Sequence, residues 1–178
     1  MRKPAGNPAD LRRERFAHIV KVAMRALNRA LQMRLAEHGV SIGHWPFLRA
    51  LWQTDGLTQR ELSEEAGVAQ PTTFSAVKAM EHLGYVVRRN VEGDRRKRQV
   101  FLTTRGRALE AKLVPLAEDV NAVAVRRVAA GEVATTRRVL LAMLDNLASD
   151  EARVGNGGRR IPSTRELGRR VERAAGKR

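Results

Sequence analysis

Residues 57–104 read LTQRELSEEAGVAQPTTFSAVKAMEHLGYVVRRNVEGDRRKRQVFLTT, and their pattern of capping residues and glycines decides the fold. Thr58 and Glu61 have the spacing of a capping box, in which each side chain bonds the other residue's backbone amide at the start of a helix. We therefore expect a short helix to begin at Thr58 and to end at Gly67, which supplies a turn. A second helix is expected over residues 70–83, where apolar residues recur at helical spacing before the next glycine.

A basic hairpin is predicted directly after this second helix. Residues 85–89 and 98–103 are strand-like, and the polar stretch at 90–97 contains one glycine, which is typical of two antiparallel strands with a long tip. Six basic residues crowd the hairpin, namely Arg88, Arg89, Arg95, Arg96, Lys97 and Arg98. Only Glu92 and Asp94 oppose them. Such a run is usually a solvated face, but its position after two helices favours contact with nucleic acid.

Helix, glycine turn, helix and basic hairpin is the layout of a winged helix-turn-helix, whose second helix enters the major groove of DNA and whose hairpin reaches the minor groove. The predicted fold class is mainly α with a small β-hairpin wing. The row expected to face the core consists of Thr73, Val77, Met80 and Leu83. The candidate DNA-contacting residues are Gln70, Pro71, Thr72, Thr73, Ser75 and Lys78 on the helix and Arg88, Asp94, Arg95, Arg96 and Lys97 on the wing.

Two points on this helix stay open at the level of the sequence. Phe74 fits neither face, and it is either an apolar contact in the groove or a partly buried packing residue. Taken alone, the helix could equally be an ordinary amphipathic surface helix, so the hairpin carries most of the prediction of DNA binding.

The composition agrees with a basic, helical protein. The chain has 178 residues, with 34 Lys and Arg against 19 Asp and Glu, a formal net charge of +15. Because each basic group near a phosphate releases a condensed counterion, this excess favours a nucleic-acid partner over a charge that serves only solubility. Aromatic residues make up 4%, which favours a helical core of aliphatic side chains.

Several other function classes find no support in the residues. The absence of cysteine excludes disulfides, thiolate catalysis and cysteine-ligated zinc. The sequence has no Gly-rich phosphate loop, nucleophile elbow or paired-carboxylate motif, so an enzyme is not expected. The four histidines lack metal-ligand spacing, and no metal or cofactor is predicted. With no signal-peptide core and no apolar run of roughly 20 residues, the protein is expected in the cytoplasm.

The flanking segments predict a domain organisation around the winged element. The long amphipathic helix on the N-terminal side is more than a small core needs, which indicates packing on another subunit. The predicted segments are a flexible arm at 1–9, a dimerisation helix at 10–43, a DNA-binding lobe at 44–106, dimerisation helices at 107–149 with a break near Gly131, and a basic, partly disordered tail at 150–178 with a hinge at 155–158.

Residues 57–106 closely resemble the DNA-binding core of MarR-family transcriptional regulators. The family's wing motif is matched by Asp94, Arg96, Leu102, Thr103 and Gly106. The resemblance implies that Arg96 enters the minor groove, that Asp94 orients it, and that the flanking helices form a two-fold homodimer on a pseudo-palindromic operator. Repression is the usual mode of such regulators. Ser75 departs from the family, many of whose members carry Arg there, which shifts more of the readout to the wing.

The resemblance also implies a small effector that releases the DNA. His44, Trp45, Arg49 and Trp52 would line its site, with stacking surfaces and a cationic donor for an aromatic acid or its coenzyme A thioester. The two tryptophans could instead be core residues, and His44 could be a helix cap or an interface residue. For the whole protein, the alternative to a specific regulator is an architectural protein that binds DNA or RNA without sequence preference.

Overall fold

The computed structural model describes residues 11–91 and 94–156, with side chains throughout except at 91, 94–97 and 154–156. The predicted arm and most of the predicted tail lie outside the described residues. The chain divides into two compact units, one up to residue 126 and one from residue 127. None of the helices within these described ranges is long and apolar enough to cross a membrane.

Two helices, α1 (Phe16–Ala36) and α2 (Trp45–Gln53), precede the predicted helix-turn-helix. The sequence predicted one helix from about residue 10, but the extended backbone of Arg15 sets the start of α1 at Phe16. Pro46 lies in the first turn of α2, as predicted, where its missing amide costs no hydrogen bond.

The helix-turn-helix consists of α3 (Gln59–Glu65) and α4 (Gln70–His82). The capping box is confirmed, because the Thr58 hydroxyl accepts from the Glu61 amide at 3.3 Å and the Glu61 carboxylate accepts from the Thr58 amide at 2.8 Å. Gly67 has a φ of 62°, the left-handed conformation that a glycine adopts without a steric penalty. The predicted turn therefore lies where the sequence placed it.

A three-stranded antiparallel sheet follows, with strands β1 (Leu57–Thr58), β2 (Val86–Val91) and β3 (Asp94–Leu102) in the order β1-β3-β2. We call the β2–β3 hairpin the wing. Its strands are longer than predicted, because backbone pairing continues into the polar stretch expected to be the tip. The short β1 was not predicted, since two residues carry no periodicity of their own and form a strand only by pairing with β3.

The C-terminal part contains α5 (Thr104–Ala108), α6 (Glu110–Ala124) and α7 (Ala130–Asn156). The predicted break was placed near Gly131 but lies at 125–129, where Arg127 has a φ of 67°. α7 ends at Asn156, so half of the predicted hinge at 155–158 is helical.

One hydrophobic core positions the DNA-binding elements within the first unit. Its largest fully buried side chains lie on α1, α2, α3, α4 and α6, in the sheet and next to these elements, and they are Leu35, Val40, Phe47, Leu48, Leu51, Leu62, Val77, Met80, Tyr85, Val86, Val100 and Leu113. The predicted fold class, mainly α with a small antiparallel hairpin, is confirmed.

Candidate nucleic-acid interface and ligand cavity

The outer face of α4 carries most of the side chains predicted to contact DNA. Five of the six candidates on this helix are exposed, namely Gln70, Pro71, Thr72, Ser75 and Lys78. On the opposite face, Val77 and Met80 are fully buried and fix the helix in the core. The Ser75 hydroxyl donates to the Pro71 carbonyl oxygen at 3.2 Å, which engages its only proton within the helix.

Thr73 requires a correction. Its side chain is fully buried, and its hydroxyl donates to the Ala69 carbonyl oxygen at 3.2 Å. In the same turn, the Ser63 hydroxyl donates to the Val68 carbonyl oxygen at 2.5 Å. The prediction that Thr73 contacts DNA is therefore wrong, because its hydroxyl fastens the turn between α3 and α4, and its place on the core-facing row is confirmed.

Phe74, which the sequence left open, is 52% exposed. It lies one helical turn after Gln70 and one turn before Lys78, both exposed, so the three side chains share one row on the surface of α4. About half of Phe74 is therefore accessible to a partner, and the residue does not belong to the buried core.

Arg88 fastens the wing to α4. Its guanidinium donates to the Glu81 carboxylate at 2.5 and 3.0 Å, and only 18% of the Arg88 side chain is exposed. This hydrogen bond lowers the pKa of Glu81 from its ordinary value of 4.5. Arg88 was predicted to contact DNA. Its Nε and one of its Nη groups donate to Glu81, which attaches the wing to α4, and a DNA contact through its other Nη group stays a prediction.

The remaining wing candidates, Asp94, Arg95, Arg96 and Lys97, lie at the start of β3 next to the tip. Their side chains are outside the described part, and their DNA contacts stay predictions. Arg89 on β2 is exposed and stacks on Phe101, with its guanidinium carbon 5.2 Å from the ring centroid.

The base of the wing is joined to α5 by Thr103 and Gly106, two residues of the wing motif. The Thr103 hydroxyl donates to the Gly84 carbonyl oxygen at 2.7 Å and accepts from the Gly106 amide at 3.0 Å. Thr103 therefore caps α5 and links the first residues after β3 to the turn that precedes β2.

A cavity of about 570 Å³ lies between α1, α2 and α6. Three of the four residues predicted to contact an effector line it, namely Trp45, Arg49 and Trp52. The tryptophan rings meet edge to face with centroids 5.7 Å apart. The Trp52 indole donates to the Gly106 carbonyl oxygen at 3.0 Å, so the cavity wall is bonded directly to the base of the wing.

Two acidic residues in this wall, Glu110 and Glu118, were not predicted from the sequence. Both lie on α6, and no local pattern shows that this helix packs beside α1 and α2. Within the described part of the chain, Arg49 and both glutamates lack ion-pair partners.

His44 is the fourth predicted effector residue, and it is not in the cavity lining. It occupies the N-cap position of α2, where its buried Nδ1 atom has no hydrogen-bond partner among the described residues. Burial lowers the pKa of its imidazole. His44 therefore does not line this cavity, and its contact with an effector stays a prediction. It occupies the N-cap position, but its side chain makes no capping hydrogen bond, so the structure does not support the alternative of a side-chain cap.

Comparisons with known proteins agree with this geometry. The sequence model of the MarR family matches residues 38–97. The HTH-type transcriptional regulator TtmR of Methylorubrum extorquens is 31% identical over 146 residues, which are 81% of this chain and 70% of that protein. An HTH-type transcriptional repressor of Mycobacterium tuberculosis is 33% identical over 116 residues, 65% of this chain and 81% of that protein.

A solved structure shares the fold. A MarR-family transcriptional regulator from Listeria monocytogenes, crystallised in complex with a 26mer DNA, superposes with a TM-score of 0.70. The match covers 83% of this chain and 99% of that chain at 22% sequence identity. The arrangement of helices and wing described above is therefore shared with that regulator.

Proposed function

Because this chain belongs to the MarR family of DNA-binding transcriptional regulators, which are not enzymes, we propose that it is a ligand-responsive repressor that binds a pseudo-palindromic operator as a homodimer. The observation that carries the proposal is the exposed polar face of α4, with Gln70, Thr72 and Lys78, on a helix anchored in the core beside a basic wing. α4 reads base edges in the major groove, and Arg96 on the wing enters the minor groove beside Asp94.

Dimerisation is supported by apolar side chains that the described chain leaves exposed. On α7, four of them are between 46% and 57% exposed, namely Val139, Leu141, Leu144 and Leu147. On α1, Phe16 is 52% and Ile19 is 38% exposed. Monomeric proteins rarely expose contiguous apolar surface without a partner to cover it. A two-fold dimer would present its two α4 helices to half-sites about 34 Å apart, one turn of the DNA.

The effector site we propose is the α1–α2–α6 cavity. Trp45 and Trp52 supply aromatic surface, and Arg49 supplies a cation for a carboxylate, which supports an aromatic acid as ligand. Among the described residues that line the cavity, Arg49 is the one basic side chain, which suits a ligand with a single carboxylate better than the several phosphates of a coenzyme A thioester. The protein releases DNA if ligand binding shifts Trp52, because the Trp52 indole donates a hydrogen bond to Gly106 at the base of the wing.

The effector proposal predicts a charge-dependent response of tryptophan fluorescence. Benzoate derivatives should quench the two tryptophans of the chain and weaken DNA binding. Arg49→Ala should raise the benzoate concentration needed for half of this effect about tenfold or more, since a charge-assisted hydrogen bond contributes about 1.5–3 kcal/mol. The matched neutral benzamides should act equally weakly on both proteins. Equal benzoate titrations for the variant and the original protein would contradict the role of Arg49.

Selection of DNA from a random-sequence duplex library by the purified full-length protein tests the repressor proposal. We expect a short palindromic consensus, two chains per duplex in sedimentation, and binding that survives an excess of random-sequence competitor. Equal affinity for all duplexes would instead identify an architectural DNA-binding protein.

A further inference from the structure

We propose that Phe74 is a specificity-determining residue that contacts the C5-methyl group of a thymine in the major groove. The inference rests on the proposed binding of an operator by α4 but goes beyond it, because Phe74 is not among the residues assigned above to DNA recognition. It follows from the position of the ring, from its chemistry and from the polar groups that surround it.

The position of Phe74 places it on the surface that faces DNA. The residue lies in the second turn of α4, and the N-terminal turns of a recognition helix are the ones that reach base edges. Its neighbours on the same row, Gln70 and Lys78, are both exposed and are suited to base edges and phosphates. An exposed ring between two such groups faces the groove that they enter.

The chemistry of the ring selects one feature of the groove. A phenyl group neither donates nor accepts a hydrogen bond, and the thymine methyl group is the apolar feature of the major-groove edges of the bases. A purine or cytosine edge beside the ring would lose water from its polar groups without a replacement bond, which disfavours those bases.

The surrounding polar groups make this apolar readout more important. Ser75, the next residue, directs its proton to the Pro71 carbonyl oxygen and so offers the groove only a weak acceptor. Gln70 can pair with the N6 and N7 atoms of an adenine. Gln70 and Phe74 therefore favour A·T pairs together, the first through the purine and the second through the pyrimidine.

Other uses of an exposed phenylalanine fit the structure less well. Phe74 does not line the α1–α2–α6 cavity, so it is not part of the proposed effector site. The exposed apolar side chains that support dimerisation lie on α1 and α7, whereas Phe74 is on α4. A contact with a second copy of the chain remains an outcome that the experiment distinguishes.

The test removes single methyl groups from the DNA. In the duplex selected from the random library, each thymine of a half-site is replaced in turn by deoxyuridine, which lacks only the C5-methyl group, and affinity is measured by fluorescence anisotropy. At one thymine the original protein should lose about fourfold in affinity, since burial of one such carbon contributes about 0.8 kcal/mol and 1.4 kcal/mol is tenfold. A 5-methylcytosine·guanine pair at that position should restore part of the lost affinity but less than the thymine·adenine pair, because it restores only the C5-methyl group.

Phe74→Ala should bind the thymine and deoxyuridine duplexes equally, and Phe74→Leu should retain part of the difference. The matched control is Lys78→Ala on the same row, which should weaken binding to both duplexes by the same factor. Circular dichroism and sedimentation establish that each variant is folded and dimeric.

Three results are decisive against the inference. They are a selected duplex in which no deoxyuridine lowers affinity by more than about twofold, a Phe74→Ala variant that keeps the full methyl dependence, and a Phe74→Ala variant that becomes monomeric and so reveals an interface residue. A selection that yields no consensus contradicts the proposed function itself, which separates the two failures.

Discussion

At Gly106 the chain passes so close to the segment before β2 that a Cβ atom would overlap the Tyr85 carbonyl oxygen. That oxygen belongs to the backbone and cannot rotate away, so a larger residue must push the wing and α5 apart. We predict that Gly106→Ala lowers the free energy of unfolding by about 3 kcal/mol, measured by urea denaturation. Because the Trp52 indole bonds the Gly106 carbonyl oxygen, the fluorescence of the folded variant should also change.

The matched control for this glycine is Gly131→Ala in α7. Gly131 is the second residue of α7, and a Cβ atom there meets nothing within 4 Å. Alanine is favoured over glycine in a helix by up to about 1 kcal/mol. The control should therefore be as stable as the original protein or more so. If Gly106→Ala unfolds at the same urea concentration as the original protein, the close packing at the base of the wing is contradicted.

At the scale of elements, the wing is the part where we expect a single substitution to change the affinity for DNA most clearly. Arg96 lies on β3 near the tip, and inserted arginines are attracted by the negative potential of a narrow minor groove. Arg96→Ala should weaken operator binding by about 1–3 kcal/mol in anisotropy titrations without changing the urea midpoint. Arg126→Ala removes the same charge from the segment after α6 and should change affinity much less. Equal losses in the two variants would show a general charge effect instead of a wing contact.

The elements also differ in how much of them the sequence predicts. The capping box at Thr58 and the turn at Gly67 are local, because their hydrogen bonds and backbone conformations join residues a few positions apart, and both were predicted correctly. β1 exists only through its pairing with β3, and the cavity exists only because α6 packs beside α1 and α2.

The positions of some single side chains also depend on contacts between distant segments and were not predicted from the sequence. Thr73 is buried by the helix-turn-helix and Arg88 is held by Glu81, contacts that composition and spacing do not encode. Phe74 stayed ambiguous for a related reason, since its exposure depends on which face of α4 the core covers.

At the scale of the whole molecule, the net charge of +15 is unevenly distributed along the chain. Residues 157–178, which follow the end of α7, carry eight basic residues against two acidic ones, a net of +6. These residues lie outside the described part of the chain, so the prediction for them rests on their charge alone. A charge of this size acts on any polyanion, independently of base sequence, through the release of counterions.

Deletion of residues 157–178 is therefore predicted to leave the operator consensus and the dimer unchanged while reducing the salt dependence of DNA binding. The cut is placed after Asn156 because α7 continues to that residue, and an earlier cut would shorten the helix. Each phosphate that the tail neutralises contributes about 0.9 to the slope of log K against log salt, so the slope should become shallower by roughly 2 or more. Anisotropy titrations over a series of KCl concentrations measure this slope.

A full-length control in which the eight basic residues of the tail are replaced by glutamine separates charge from chain length. It should reproduce the shallow slope of the truncated protein, because counterion release depends on the charges and not on the length of the segment. An unchanged slope in both variants would remove the tail from DNA binding and leave the wing and α4 as the basic surface that meets the phosphates. A truncated protein that sediments as a monomer would show instead that the tail contributes to the dimer, and its loss of affinity would then come from the loss of one recognition helix.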